Sequence, residues 1–165
     1  MAGLVPNDWP TSSYATHFHL LLDVMLSFRP RTILETGSGL YSTGFFLGFD
    51  IDKLVSLENN PEWARKHDDP RHRLIKVKGN IADHLPDLTG YDLVFVDDDP
   101  IDARAETLRR VLGKARGLVV VHDTDDGRIH PFIGGRANHT DFHQPNTSVV
   151  CPARSKEFVE WLALR

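Results

Sequence analysis

Apolar residues fall at Phe18, Leu21, Leu22, Met25 and Leu26. The spacing i, i+3, i+4, i+7, i+8 is one stripe of a helix. It predicts a helix over Tyr14–Phe28, capped by Ser12 or Ser13 and stopped by Pro30. Downstream the period changes. Thr32–Leu34 is a short apolar run that closes on Glu35 and the glycine turn Gly37-Ser38-Gly39. Tyr41–Phe49 reads as helical, although Gly44 and Gly48 interrupt it. Lys53–Leu57 reads as a strand ending at Glu58, and Asn60 followed by Pro61 has the composition of a cap and first turn of a short helix. Leu74–Val77 alternates with lysines, as a strand does. Residues 91–97 (YDLVFVD) form a buried strand ending in acids. Ile101, Ala105, Leu108 and Leu112 share one face of a helix over Ile101–Ala115, and residues 117–121 (GLVVV) are short and β-rich. Five strands separated by helical segments imply a parallel sheet with helices on both faces. In the tail, Asn138–Phe142 and Thr147–Cys151 flank Gln144-Pro145-Asn146. That pattern predicts an antiparallel hairpin, followed by a helix capped by Ser155 with Phe158, Val159 and Leu162 turned inward.

Composition narrows the class. With 165 residues, 41% hydrophobic and 25% charged, the chain suits one globular domain over 1–165, with 1–13 as an irregular arm. A net charge of −4 argues against a nucleic-acid or membrane surface. The single cysteine, Cys151, excludes an internal disulfide and a multi-thiolate zinc cluster. No apolar run has the roughly 18 residues of a membrane span, and the first residues lack the regions of a signal peptide. The expectation is a cytoplasmic protein with room for a homo-oligomer.

Open α/β sheets bind ligands beyond the carboxyl ends of their strands. Here those ends read Glu35-Thr36-Gly37-Ser38-Gly39, Glu58-Asn59, Gly79-Asn80-Ile81, Asp97-Asp98-Asp99 and His122-Asp123. Gly37 and Gly39 let a backbone pass close to a ligand. Glu58, at the end of the next strand, can accept both hydroxyls of a ribose. Together they point to a nucleoside-containing ligand. Ser42 stands where a dinucleotide fingerprint needs its third glycine. Glu35, two residues before the first glycine, would repel a pyrophosphate and welcome a cationic group. The charge pattern therefore favours S-adenosylmethionine over NAD.

These segments resemble the class I S-adenosylmethionine-dependent methyltransferases. ILETGSGLYST is similar to their first motif, VSLENN to the ribose-binding strand end, and VKGNIAD to the segment flanking adenine. YDLVFVDDDP and LVVVHDTDDGR resemble the fourth and fifth strands of the small-molecule O-methyltransferase branch. The resemblance implies a Rossmann-like three-layer sandwich, with a mostly parallel seven-stranded sheet of order 3-2-1-4-5-7-6 and strand 7 antiparallel. It also implies a cofactor set of Glu35 on the methionine ammonium side, Gly37, Gly39, Ser42 and Thr43 along the loop, Glu58 on the ribose, and Asn80, Ile81 and Asp83 near the adenine. The expected activity is methyl transfer to an oxygen of a small-molecule acceptor.

The acceptor half matches the family less closely. Asp97 reads as a general base or metal ligand, and Asp97 with Asp123 would hold an assisting divalent cation such as Mg²⁺. His122 is either a packed strand-end histidine or a base. Asp99 has the position of an N-cap before Pro100, and Asp98 that of a solvated acid. Trp9 in the early arm could act as a lid, whereas Trp63 and Trp161 occupy core-like helical positions. Three rival functions are a non-catalytic S-adenosylmethionine-binding or assembly module, an NAD-dependent oxidoreductase and, less favoured, a metal-dependent hydrolase built on Asp97, His122 and Asp123.

Overall fold

The structure, a computed structural model, describes residues 16–39 and 41–165. The elements, in chain order, are α1 (Phe18–Phe28), β1 (Thr32–Thr36), α2 (Ser42–Leu47), β2 (Lys53–Glu58), β3 (His72–Lys76), β4 (Leu93–Val96), α3 (Ile101–Lys114), β5 (Leu118–His122), α4 (His130–Ile133), β6 (Asn138–Asp141), β7 (Thr147–Val150) and α5 (Lys156–Leu162). Short 3₁₀ turns lie at Ile81–His84 and Leu88–Gly90. The seven strands form one sheet in the order β3-β2-β1-β4-β5-β7-β6. β1 to β5 run parallel, and β7 pairs antiparallel with both β5 and β6. This is the order that the family resemblance implied.

Alternation along each strand divides the core between the two faces of the sheet. Ile33, Leu54, Leu93, Phe95, Leu118 and Val120 pack under α1, α2 and α5, contributed by residues such as Leu21, Phe46 and Phe158. Leu34, Val55, Val94, Val96, Val119 and Val121 pack under α3, through Leu108, Val111 and Leu112. With both faces covered, β4 and β5 are buried at every residue, which explains why they read as unbroken apolar runs.

Several local expectations change. The described part of the first helix begins at Phe18, and the proposed caps Ser12 and Ser13, like Trp9, lie outside the described residues. Its buried stripe is Phe18, Leu20, Leu21, Val24 and Met25, while Leu22 and Leu26 face outward. Likewise Val159 on α5 is exposed and Trp161 takes the inner place. Residues 61–63 make a single turn, not a helix. Asn60 Oδ1 does accept the Glu62 N–H as a cap would, but the segment ends there. Trp63 sits on that turn at 40% exposure and is not a core residue.

Candidate functional site

A cavity of about 500 Å³ opens at the carboxyl ends of β1, β2, β4 and β5. Its walls include His17, Gly37, Ser38, Gly39, Tyr41, Ser42, Glu58, Asn60, Trp63, Asp97, Asp99, Arg104, His122, Asp123 and Pro145. The strands supply the acids, and the loop after β1 forms one side.

Glu58 ends β2 and is buried to 5% exposure. Its two carboxylate oxygens accept backbone N–H groups from Ser38 (2.8 Å) and Asn60 (2.6 Å). Desolvation raises its pKa, and these bonds oppose the rise. Two accepted bonds leave spare lone-pair sites on a carboxylate, which takes about four. The residue is thus held rigidly and can still receive hydroxyl donors from a ligand.

Gly37 has φ +81°, and a Cβ there would lie 2.5 Å from the Asp97 carbonyl oxygen. The glycine is therefore required by the close passage of the β1 and β4 loops. Its backbone conformation is fixed by the protein itself, independently of any ligand. Gly39 and Ser42 also line the cavity.

Glu35 does not. It is fully buried, and its carboxylate accepts the hydroxyls of Ser42 (2.5 Å), Ser56 (2.5 Å) and Thr43 (2.7 Å). Burial pushes its pKa up to about 7 against these bonds. Glu35 thus ties β1 to β2 and to the start of α2, with Thr43 buried beside it. Glu35 is absent from the cavity wall, and Ser42, whose hydroxyl it accepts, stands between it and the cavity. Asp97 and Asp99, which line the wall, are the acids a pyrophosphate would meet directly. Asn80, Ile81 and Asp83 also stand off the cavity wall. Asn80 caps the following turn through the Ala82 N–H, Ile81 is fully buried, and Asp83 pairs with Arg110 at 2.9 Å.

The acidic run after β4 departs from expectation. Asp98 is buried to 1%, not solvated, because its carboxylate accepts Thr36 Oγ1 (2.9 Å) and Thr107 Oγ1 (2.8 Å) and so joins β1 to α3. Asp99 is not the N-cap. Pro100 occupies that position in an extended conformation without a side-chain cap, one residue too late for Asp99 to reach the helix N–H groups.

Asp97 and Asp123 do converge, and with His122 they offer ligand atoms within 4.8 Å of one another. Between the two carboxylates lies Arg104, a residue the sequence reading missed. Its Nη2 is 3.0 Å from Asp97 Oδ1, its Nη1 donates to Asp123 Oδ2, and its Nε donates to the Asp98 carbonyl (2.8 Å). Arg104 is 6% exposed on the inner face of α3, where Thr107, Leu108 and Val111 also lie. An arginine in that stripe was the available signal, since a buried cation needs acidic partners. Burial raises the Asp97 pKa, with Arg104 opposing the rise.

His122 ends β5 at 6% exposure. Its Nδ1 is 3.0 Å from Thr147 Oγ1, and its Nε2 is 3.5 Å from Asp123 Oδ1. His17, also unread in the sequence, sits across from it with ring centroids 5.1 Å apart and edge-on geometry.

No family model matches the chain. Two strains of Mycobacterium leprae carry a protein named as a candidate O-methyltransferase that is 32% identical over 121 residues, spanning 65% of this chain. The chain covers 50% of the length of those relatives. Among solved structures, the S-adenosylhomocysteine-bound methyltransferase PaMTH1 of Podospora anserina superposes with a TM-score of 0.61, at 15% identity over 89% of this chain and 88% of its own. The chain has the class I methyltransferase fold. The yhhF methyltransferase of Escherichia coli gives a TM-score of 0.64 at 13% identity over 91% and 92% of the two chains. A candidate caffeoyl-CoA O-methyltransferase of Staphylococcus aureus gives 0.57 at 17% identity over 79% and 80%. In this class I fold the cavity lies at the strand ends, as Glu58 and the loop after β1 require. Among the described residues, no helix is long and apolar enough to cross a membrane.

Proposed function

We propose that the protein transfers a methyl group from S-adenosylmethionine to an oxygen of a small molecule. The observation that carries this reading is Glu58. It is a buried carboxylate held by two backbone N–H groups on the wall of a strand-end cavity, with acceptor capacity left for a ribose. The O-methyltransferase name of the Mycobacterium leprae relatives supports oxygen as the target. S-adenosylmethionine supplies an electrophilic methyl on a sulfonium, and the protein's contribution is alignment and removal of the acceptor's proton.

His122 suits the proton. Its Nδ1 is held by Thr147 Oγ1, which leaves Nε2 on the Asp123 side of the cavity. Asp123 then stabilises the imidazolium that forms. Asp97, paired to Arg104, stands beside it as a fixed charge.

A divalent cation does not fit the arrangement. The guanidinium of Arg104 already bridges Asp97 and Asp123, so Mg²⁺ would have to displace a buried arginine to gain both carboxylates. We assign no step to a metal.

Calorimetry with S-adenosylhomocysteine tests the cofactor reading. Glu58→Ala is expected to weaken binding by about 1.5–3 kcal/mol, the contribution of hydrogen bonds to a charged acceptor, while the melting curve remains cooperative. Equal affinity in parent and variant would remove the ribose role.

A further inference from the structure

The His17 imidazole is buried to 2% exposure, yet neither of its ring nitrogens has a hydrogen-bond partner. It is packed against Phe18 (4.8 Å between ring centroids) and Phe95 (5.2 Å), lines the cavity, and faces His122. A buried polar group without a partner is costly, and native structures tolerate few. Burial, together with the neighbouring His122 and Arg104, holds its pKa well below the usual histidine range, so the ring is neutral. A neutral imidazole offers one N–H donor and one lone pair. A hydroxyl, which both donates and accepts, can pair with either nitrogen in either tautomer.

The charges around it decide what the hydroxyl is attached to. Asp97, Asp99 and Asp123 line this end of the cavity, and Arg104 is the one cation among the described lining residues. Both of its terminal nitrogens are taken by Asp97 and Asp123. A carboxylate or phosphate on the acceptor would therefore meet surplus negative charge, with no free side-chain cation among the described lining residues to receive it.

We propose that His17 is an acceptor-binding residue and that the acceptor is a hydroxylated molecule without anionic groups, seated between His17 and His122. This rests on the methyltransferase reading above. His17 grips the acceptor through hydrogen bonding, opposite the ring that takes the proton.

The test uses the full chain saturated with S-adenosylhomocysteine and two probes of matched shape, 3-hydroxybenzyl alcohol and 3-hydroxybenzoate. Each is titrated by calorimetry and by ¹⁵N spectra of histidine-labelled protein. The alcohol is expected to bind at least tenfold more tightly than the benzoate and to shift the ring nitrogens of His17. His17→Phe should lose about tenfold in affinity for the alcohol with S-adenosylhomocysteine affinity within twofold of the parent. His17→Gln, which keeps a donor and an acceptor, should recover most of it. Benzoate binding as tight as the alcohol, no binding of either probe at millimolar concentration, or an unaltered affinity in His17→Phe each overturns the proposal. So does a His17→Gln variant no better than His17→Phe, which would mark the residue as packing alone. A parent chain that binds no S-adenosylhomocysteine overturns the methyltransferase reading and this proposal with it. A chain that binds it and fails the probe comparison overturns this proposal alone.

Discussion

Replacing Arg104 by methionine keeps most of the side-chain volume and removes the charge. Two carboxylates, Asp97 and Asp123, would then face each other without a counter-ion, and the Asp98 carbonyl would lose its Nε donor. Removing one member of a buried ion pair costs about 3–5 kcal/mol. The Asp97 and Asp123 side chains are 22% and 27% exposed, so water reaches them and the lower end applies. We expect Arg104→Met to lose about 3 kcal/mol at pH 8, or roughly 6–12 °C in Tm for a chain of this size. The loss should depend on pH. A carboxyl whose pKa is raised by folding adds stability below its unfolded value, and that contribution is lost as pH rises through the folded value. Burial already raises Asp97, and removal of the guanidinium raises it further. The deficit of the variant should therefore be smaller at pH 5 than at pH 8. Mg²⁺ or Mn²⁺ should restore part of the stability of the variant and leave the parent unaffected, and EDTA should not lower methyl transfer by the parent. Urea unfolding at the two pH values, with and without metal, gives the answer. A variant as stable as the parent, a deficit that does not change with pH, or a parent stabilised by Mg²⁺ would refute the reasoning.

Glu35→Gln should flatten the stability profile between pH 4.5 and 7, since a folded value of about 7 against an ordinary 4.5 makes the parent lose on the order of 3 kcal/mol as pH rises across that window; parallel profiles in denaturant titrations would contradict it. Gly37→Ala should impair folding itself, because a Cβ at φ +81° meets the Asp97 backbone; a soluble variant with parental far-UV dichroism and Tm would show that the loop yields. His17→Phe, which removes a buried imidazole with no partner, should raise Tm by a few degrees, about 1 kcal/mol, and a lower Tm would count against an unsatisfied ring.

The strands were legible because burial on both faces leaves an unmistakable apolar signature. Residues 93–96 and 118–122 fall within one residue of the runs that predicted them, apart from the polar start of 91–97. The hairpin and the Ser155 cap were legible through turn and capping chemistry, and Ser155 Oγ does accept the Phe158 N–H. The order in which the strands lie came from the motif resemblance, since spacing along a chain does not say which strands become neighbours. The site was harder. A strand-end acid looks the same in sequence whether it faces water, as Asp99 does, or threonine hydroxyls, as Asp98 does. Glu35 read as a ligand contact because its hydroxyl partners, Ser42, Thr43 and Ser56, are polar residues that pattern reading assigns no fixed place. Arg104 and His17 were overlooked for a related reason: each is a polar residue buried among apolar ones, and the groups it meets lie on strands distant in sequence.

The two margins of the sheet have a bearing on how this protein behaves in concentrated solution. An open sheet ends in rows of unpaired N–H and C=O groups, a template for further strand addition and for aggregation. Here one margin is β3, His72–Lys76, with Arg73 and Lys76 exposed, and the other is β6, Asn138–Asp141, short and without an aliphatic side chain. Lysine, arginine, aspartate and brevity are the devices that discourage edge-to-edge stacking. Among the described residues, the seven-stranded sheet therefore keeps its strongly aggregation-prone segments, β4 and β5, in the middle, and has at its margins strands that are poor seeds for a fibril.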